Sequence, residues 1–236
     1  MTDVGITHRL DRPVDPARDH ALGPEKAPIT LVEYGSYACP HCRAANDRIA
    51  EVRDELGERL RYVFRHRPLT GSDLALRAAE LIEHCDDPKK FWDTHILLMT
   101  RSGTLTEEDL RVAALQLGLT ERDLAPEAEV AKRARARVEA DIASSRASGV
   151  MYTPTFFMNG RRYDGPWDES SFKDALLNTL GHRVRAAALD FAGWAPSAGI
   201  LLLLTTVLAV ILTNSAMGPE FTALWQKYLA ACRTEV

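Results

Sequence analysis

The sequence predicts an α/β domain carrying an inserted all-helical segment and followed by one apolar helix long enough to cross a membrane. Three observations carry this prediction. A strand–helix–strand pattern runs from Ile29 to Arg65, a strand and hairpin pattern returns at Thr155 after a helical stretch of about 72–148, and the segment from Phe191 to Pro219 holds no charged residue. The chain has 236 residues, 46% hydrophobic and 26% charged, which is the composition of a globular protein able to bury a core. A net charge of −4 offers no basic field, so no nucleic-acid partner is expected.

The elements follow in order. Residues 1–26 are polar, with three prolines and alternating Asp and Arg, and read as a lead-in with little power to fold alone. No apolar stretch follows a basic start there, so no cleavable signal is expected and the soluble part is expected on the cytoplasmic side. Residues 27–181 form the expected domain. Ile29 to Gly35 is apolar and β-branched and ends on glycine, the pattern of a buried strand. Pro40 opens a helix to about Gly57, with Ala44, Ala45, Ile49, Val52 and Leu56 on one face. Leu60 to Arg65 is a second strand that alternates Leu60, Tyr62 and Phe64 with Arg61, Val63 and Arg65.

The helical insertion breaks near Asp87-Pro88, Ser102-Gly103 and Gly118, and Thr106 with Asp109 makes a start like a capping box, with Asp where Glu or Gln is usual. Thr155 to Met158, a turn at Asn159-Gly160 and Arg161 to Tyr163 predict a hairpin. A helix from about Asp168 to Leu180 closes the domain at Gly181. Residues 182–194 read as a linker, 195–217 as the membrane-crossing helix and 218–236 as a tail.

Four cysteines are too few for a secreted disulfide scaffold, and two of them stand in Cys39-Pro40-His41-Cys42, a spacing that points to redox or metal chemistry. Disulfide exchange needs an attacking thiolate and a second thiol that resolves the mixed disulfide. With Pro40 at the first helical position, the Cys39 sulfur falls at a helix N-terminus, where unpaired N–H groups and the dipole favour an anion. Cys42 lies further in and is expected to be more buried and less acidic. A charge on His41 beside the thiolate would lower Cys39 further. Cys39 is thus the candidate nucleophile and Cys42 the resolving thiol; half of a zinc site is the other use of such a pair, and no metal or other cofactor is expected.

The strand, the Cys39-Pro40-His41-Cys42 helix start, the helical insertion and the later Gly149-Val150-Met151-Tyr152-Thr153-Pro154-Thr155-Phe156-Phe157-Met158-Asn159-Gly160 together resemble the DsbA-like branch of the thioredoxin superfamily, over about Ala27 to Leu180. The resemblance implies a thioredoxin fold and a protein-disulfide oxidoreductase acting on protein or small-molecule thiols and disulfides. It implies a cis Thr153-Pro154 bond that offers the Thr153 backbone to an extended substrate, and a role for Glu33 as a buried acid assisting Cys42. A trans turn proline at Pro154 and a surface carboxylate at Glu33 are the alternative readings of those two residues alone. Cys85, His84, His66 and Trp92 read as structural or surface groups, and Cys232 as an incidental thiol.

Ala195 to Met217 spans about 23 residues, roughly 35 Å as a helix, with Trp194 and Trp225 outside its ends where an aromatic belt would sit. Ser197 to Ser215 is similar to the first transmembrane helix of NhaA-type sodium/proton antiporters. That likeness implies a redox domain ahead of an antiporter. One helix cannot form an alternating-access pore, so no transport by this chain alone is expected.

Overall fold

The computed structural model describes residues 9–166, 170–177 and 195–223, with the side chains of 195–198 and 201 outside that description. The chain divides into two units, Met1–Leu180 and Gly181–Val236.

The first unit is built on a five-stranded sheet. Strands β1 (His20–Leu22), β2 (Ile29–Gly35), β3 (Leu60–His66), β4 (Thr155–Met158) and β5 (Arg161–Tyr163) stand in the order β1-β3-β2-β4-β5. Only β2 and β3 run parallel, joined by helix α1 (Pro40–Leu56). The other pairings are antiparallel. Residues 9–26, read from the sequence as a lead-in, therefore contribute a strand and are part of the fold.

Every residue of β3 is buried, so the sheet is covered on both faces. Alternate residues define them. One face carries Leu31, Tyr62, Phe64, Phe156 and Met158 and packs against Ile49 and Val52 of α1 and against Phe172 and Leu176 of α7 (170–177). Cys39 and Cys42 both belong to this cluster. The other face carries Val32, Tyr34, Val63 and Phe157. The expected hairpin forms at Asn159 and Gly160, whose φ values of 49° and 78° are those of a primed turn.

The insertion comprises α2 (Asp73–Ile82), α3 (Pro88–Arg101), α4 (Glu107–Leu117), α5 (Glu121–Leu124) and α6 (Glu129–Ala147). Its punctuation is chemical. Asp87 caps α3 through its side chain, Thr106 and Asp109 form the expected capping box, and Gly118 closes α4 in the left-handed conformation. The insertion holds the sheet through polar bonds as well as packing. Ser144 of α6 lies 2.7 Å from the Tyr34 hydroxyl, and Asp141 accepts from the His66 N–H at 2.9 Å.

Two charged clusters sit inside. Arg65, fully buried, donates to both Asp19 oxygens at 2.8 and 2.9 Å and to the Tyr34 hydroxyl at 3.1 Å. Burial pushes the Asp19 carboxyl up, but the bonds and charge of Arg65, the Asp15 N–H and Arg12 outweigh it and hold it below the ordinary carboxylate range. Glu83 accepts from His66 at 2.7 Å, His20 at 2.9 Å and Arg137 at 3.3 Å. His66 thus serves as a structural group.

In the second unit α8 (Ala195–Thr213) is followed by a turn and a helix at 218–223. The helix ends before the expected Met217. Its Leu202, Leu203, Leu204, Val207, Leu208, Val210 and Ile211 are exposed. Among the described residues, no helix is long and apolar enough to cross a membrane. Trp194, Trp225, Cys232, Gly181 and both ends of the helix expected at 168–180 lie outside the described residues.

Asp19→Asn leaves the Arg65 charge buried without its anion, and should cost about 3–5 kcal/mol in urea unfolding at neutral pH. Because the Asp19 carboxyl is held low, its stabilisation is present above about pH 4 and is lost as the pH falls through the lowered value. A loss under about 1 kcal/mol would contradict the role given to the pair.

Candidate active site

β2 ends at Gly35 and the chain turns through Ser36-Tyr37-Ala38 into α1. Cys39 is the N-cap, with φ −113° and ψ 112°, and Pro40 begins the helix. Its fixed φ suits the first turn, and its missing N–H is one the helix could not have used. The loop is tied from three sides. The Cys39 N–H reaches Ser36 O at 3.3 Å, the Tyr37 hydroxyl lies 2.9 Å from His95 Nδ1 of α3, and Ser102, just past α3, donates to Cys39 O at 3.0 Å. The insertion therefore clamps the helix start that carries the cysteines.

The cysteines are free thiols, and both are buried. Cys39 Sγ donates to Thr153 O at 3.4 Å, and the Ser36 N–H donates to Cys42 Sγ at 3.4 Å. The Cys39 thiol is lowered to about 5. A hydrogen bond from the Cys42 thiol is the largest cause; burial opposes it, while the Thr153 side chain and the N–H groups of Cys42 and His41 add to it. Cys42 is pushed strongly upward by that same bond, by burial and by the negative charge of Glu33. The two thiols thus separate into an acidic outer sulfur and an inner sulfur that keeps its proton.

Glu33 lies on β2, buried, on the sheet face that carries the cysteines. It accepts from the Tyr62 hydroxyl at 2.7 Å. Burial raises its carboxyl to about 8; Tyr62 lowers it and the Cys39 charge raises it. The surface-carboxylate reading of Glu33 does not hold.

The Thr153-Pro154 bond is cis. Thr153 and Pro154 line a cleft of about 460 Å³ with Tyr152, His41, Ala44, Ala45 and Arg48. Its floor is α1 and its rim is the segment entering β4. His41 is exposed, and Tyr152 is 59% exposed with Arg162 over its ring at 5.3 Å. The structure thus brings Cys39, Pro40, His41, Cys42, Glu33, Thr153 and Pro154 to one end of the sheet. Sequence reasoning did not single out Ser36, Tyr62, Tyr152 or Ser102. Of these Tyr62 left a signal in the Leu60, Tyr62 and Phe64 alternation and Tyr152 in its place beside Thr153-Pro154; Ser36 and Ser102 depend on contacts with distant segments.

Residues 16–178 match the family model described as Thioredoxin. The chain belongs to the thioredoxin family. Among solved structures, α-DsbA1 of Wolbachia pipientis superposes with a TM-score of 0.60 at 21% identity, over 74% of this chain and 96% of that one. A thioredoxin-like oxidoreductase from Silicibacter pomeroyi DSS-3 gives 0.56 at 26% identity, over 73% and 94%. A curated relative named Na(+)/H(+) antiporter NhaA, from Nitrosospira multiformis, is 59% identical over 222 residues, 94% of this chain and 36% of that protein. This chain therefore spans about a third of that relative's length. A match over 222 of 236 residues takes in most of the thioredoxin-like region and reaches the apolar segment, so that relative carries counterparts of both.

Iodoacetamide should modify Cys39 with a midpoint near pH 5 while Cys42 stays unmodified, as read by peptide mass. Earlier labelling of Cys42 at pH 6 would reverse the assignment.

Proposed function

We propose that the first unit is a thiol–disulfide oxidoreductase working through Cys39 and Cys42. One observation carries this reading: two free thiols share the first turn of α1, Cys39 at its N-cap and Cys42 buried within it on the Ser36 N–H, an arrangement that favours an acidic outer sulfur and an inner one that keeps its proton. In the reducing direction the Cys39 thiolate attacks a substrate disulfide, forming a mixed disulfide and releasing one substrate thiolate. Cys42, deprotonated with help from Glu33, then attacks the Cys39 sulfur. The Cys39–Cys42 bond forms, the mixed bond breaks, and two electrons have passed to the substrate. The oxidising direction is the reverse. His41 and Pro40 shape the outer side of the thiolate, and Thr153 and Pro154 offer the backbone against which an extended thiol or disulfide substrate lies in the cleft.

The second unit is assigned as a membrane anchor. Its support is the uncharged run from Phe191 to Pro219 and the exposed apolar side chains of α8. The side of the membrane sets the direction of exchange. In a glutathione-reduced compartment the pair rests as a dithiol and reduces or senses; in an oxidising one it rests as a disulfide and donates it.

A second reading is a redox-sensing domain that regulates an attached sodium/proton antiporter, favoured by the name of the Nitrosospira multiformis relative. Insulin reduction separates the two: steady turnover supports the enzyme, and consumption of one equivalent without turnover supports the sensor.

Cys42→Ser should accumulate mixed disulfides with substrates, since nothing resolves them, and Cys39→Ser should accumulate none. Equal trapping by both would refute the assigned roles. A chain ending at Arg185 should remain in solution without detergent, whereas the full chain should need it; a detergent-free monomer of the full chain would remove the membrane assignment.

A further inference from the structure

Tyr62 and Glu33 are placed together by register. Leu31 of β2 pairs with Tyr62 of β3 and Glu33 pairs with Phe64, so Tyr62 and Glu33 are diagonal neighbours on one sheet face. The Tyr62 hydroxyl spans that diagonal to Glu33 Oε2 at 2.7 Å, with 1% exposure at Glu33 and 2% at Tyr62. The other oxygen, Oε1, is buried without a hydrogen-bond partner among the described residues. A Cβ at position 35 would lie 2.8 Å from this oxygen, so Gly35 leaves it room. The next residue, Ser36, donates its N–H to Cys42 Sγ at 3.4 Å. The carboxyl is thus held on one oxygen and bare on the other, on the side of the loop that grips the resolving sulfur.

The groups facing this carboxyl are Tyr62 from β3, Tyr37 and Cys39 from the loop and Cys42 from α1, with His95 of α3 behind Tyr37. None is a cation: burial holds His95 neutral, down at about 3. A lysine or arginine against Glu33 would keep it ionised at all working pH, and a phenylalanine at 62 would leave it protonated. A tyrosine is the intermediate case. Burial pushes its own hydroxyl well above the ordinary value, so it remains a donor throughout.

We propose that Tyr62 is a positioning residue for the resolving step: by bonding one oxygen of Glu33 it fixes the pH at which the other takes the Cys42 proton. This rests on the exchange reading above and adds to it the group that tunes the base.

The test follows one exchange with glutathione disulfide as probe. Reduced full chain is mixed with it, quenched in acid at intervals and weighed. The Cys39 thiolate takes one glutathionyl group and releases one glutathione thiolate. Cys42, its proton passed to Glu33, then attacks the Cys39 sulfur; the intramolecular disulfide forms and the second glutathione leaves as thiolate. The rate of this second step is measured from pH 5 to 11.

In Tyr62→Phe its midpoint should move up by about one to two pH units, the value of a hydrogen bond to a charged group, with the alkaline rate unchanged. Glu33→Gln should lose that transition, and Tyr62→Phe/Glu33→Gln should match Glu33→Gln alone. A wild-type midpoint in Tyr62→Phe, or an equal slowing at every pH, overturns the inference while leaving the exchange reading intact. A wild-type chain that forms no intramolecular disulfide at any pH overturns both. Should Tyr62→Phe fail to fold, the buried carboxyl band in the infrared decides. It should titrate near pH 8 in the reduced wild type, and titration below about pH 5 overturns the inference.

Discussion

The first turn of α1 presents N–H groups with no acceptor inside the helix, and the β2–α1 loop holds a sulfur against them. The rest of the first unit is arranged around that meeting. The parallel β2–β3 pair aims the loop, and Ser36, Tyr37 and Ser102 keep it from relaxing. The segment entering β4 closes the other side through the Thr153 carbonyl. A sulfur that drifted out of this position would face water instead of the helix end. Its acidity, and with it the division of labour proposed for Cys39 and Cys42, would be lost.

That precision requires a rigid support, and the support is unusually polar. One sheet face buries Glu33 with Tyr62, while the other buries Arg65 with Asp19. Buried charges are costly unless paired, and here the two faces differ. Arg65 is saturated with acceptors, which suits a structural ion pair. Glu33 keeps one oxygen bare and an elevated pKa, which suits a group that must exchange a proton. Burial alone does not separate these two cases; the count of partners does.

Much of this was legible in the residues. β2 over Ile29–Gly35, the start of α1 at Pro40, the capping box at Thr106 and the primed turn at Asn159-Gly160 all follow from local chemistry, because one to four neighbouring residues decide each. β1 was not legible. Three residues, His-Ala-Leu, in a polar segment carry no strand period, and they pair only because β3 offers an edge and Asp19 reaches Arg65. Arg65 and Glu83 were likewise opaque, since a buried charge looks like a surface charge until its distant partner is known. At the site the two cysteines and the residues of the Thr153-Pro154 segment were marked by motif, whereas Ser36 and Ser102 belong to it through tertiary contacts alone.

The central claim is that folding stabilises the Cys39 thiolate. Its most direct measurement is the difference in unfolding free energy between the reduced and the disulfide forms, followed from pH 5 to 8. The structural ion pairs are present in both forms, so their contributions largely cancel in the difference; Glu33, which the Cys39 charge raises in the reduced form alone, is taken out by comparing the two forms in Glu33→Gln. A thiol held near pH 5 in the fold and near its ordinary value when unfolded binds fewer protons in the native state across this window. Reduced-form stability should therefore rise relative to the disulfide form by about 1.4 kcal/mol per pH unit, and fade as the pH falls through 5. A difference that stays flat across the window would contradict the claim.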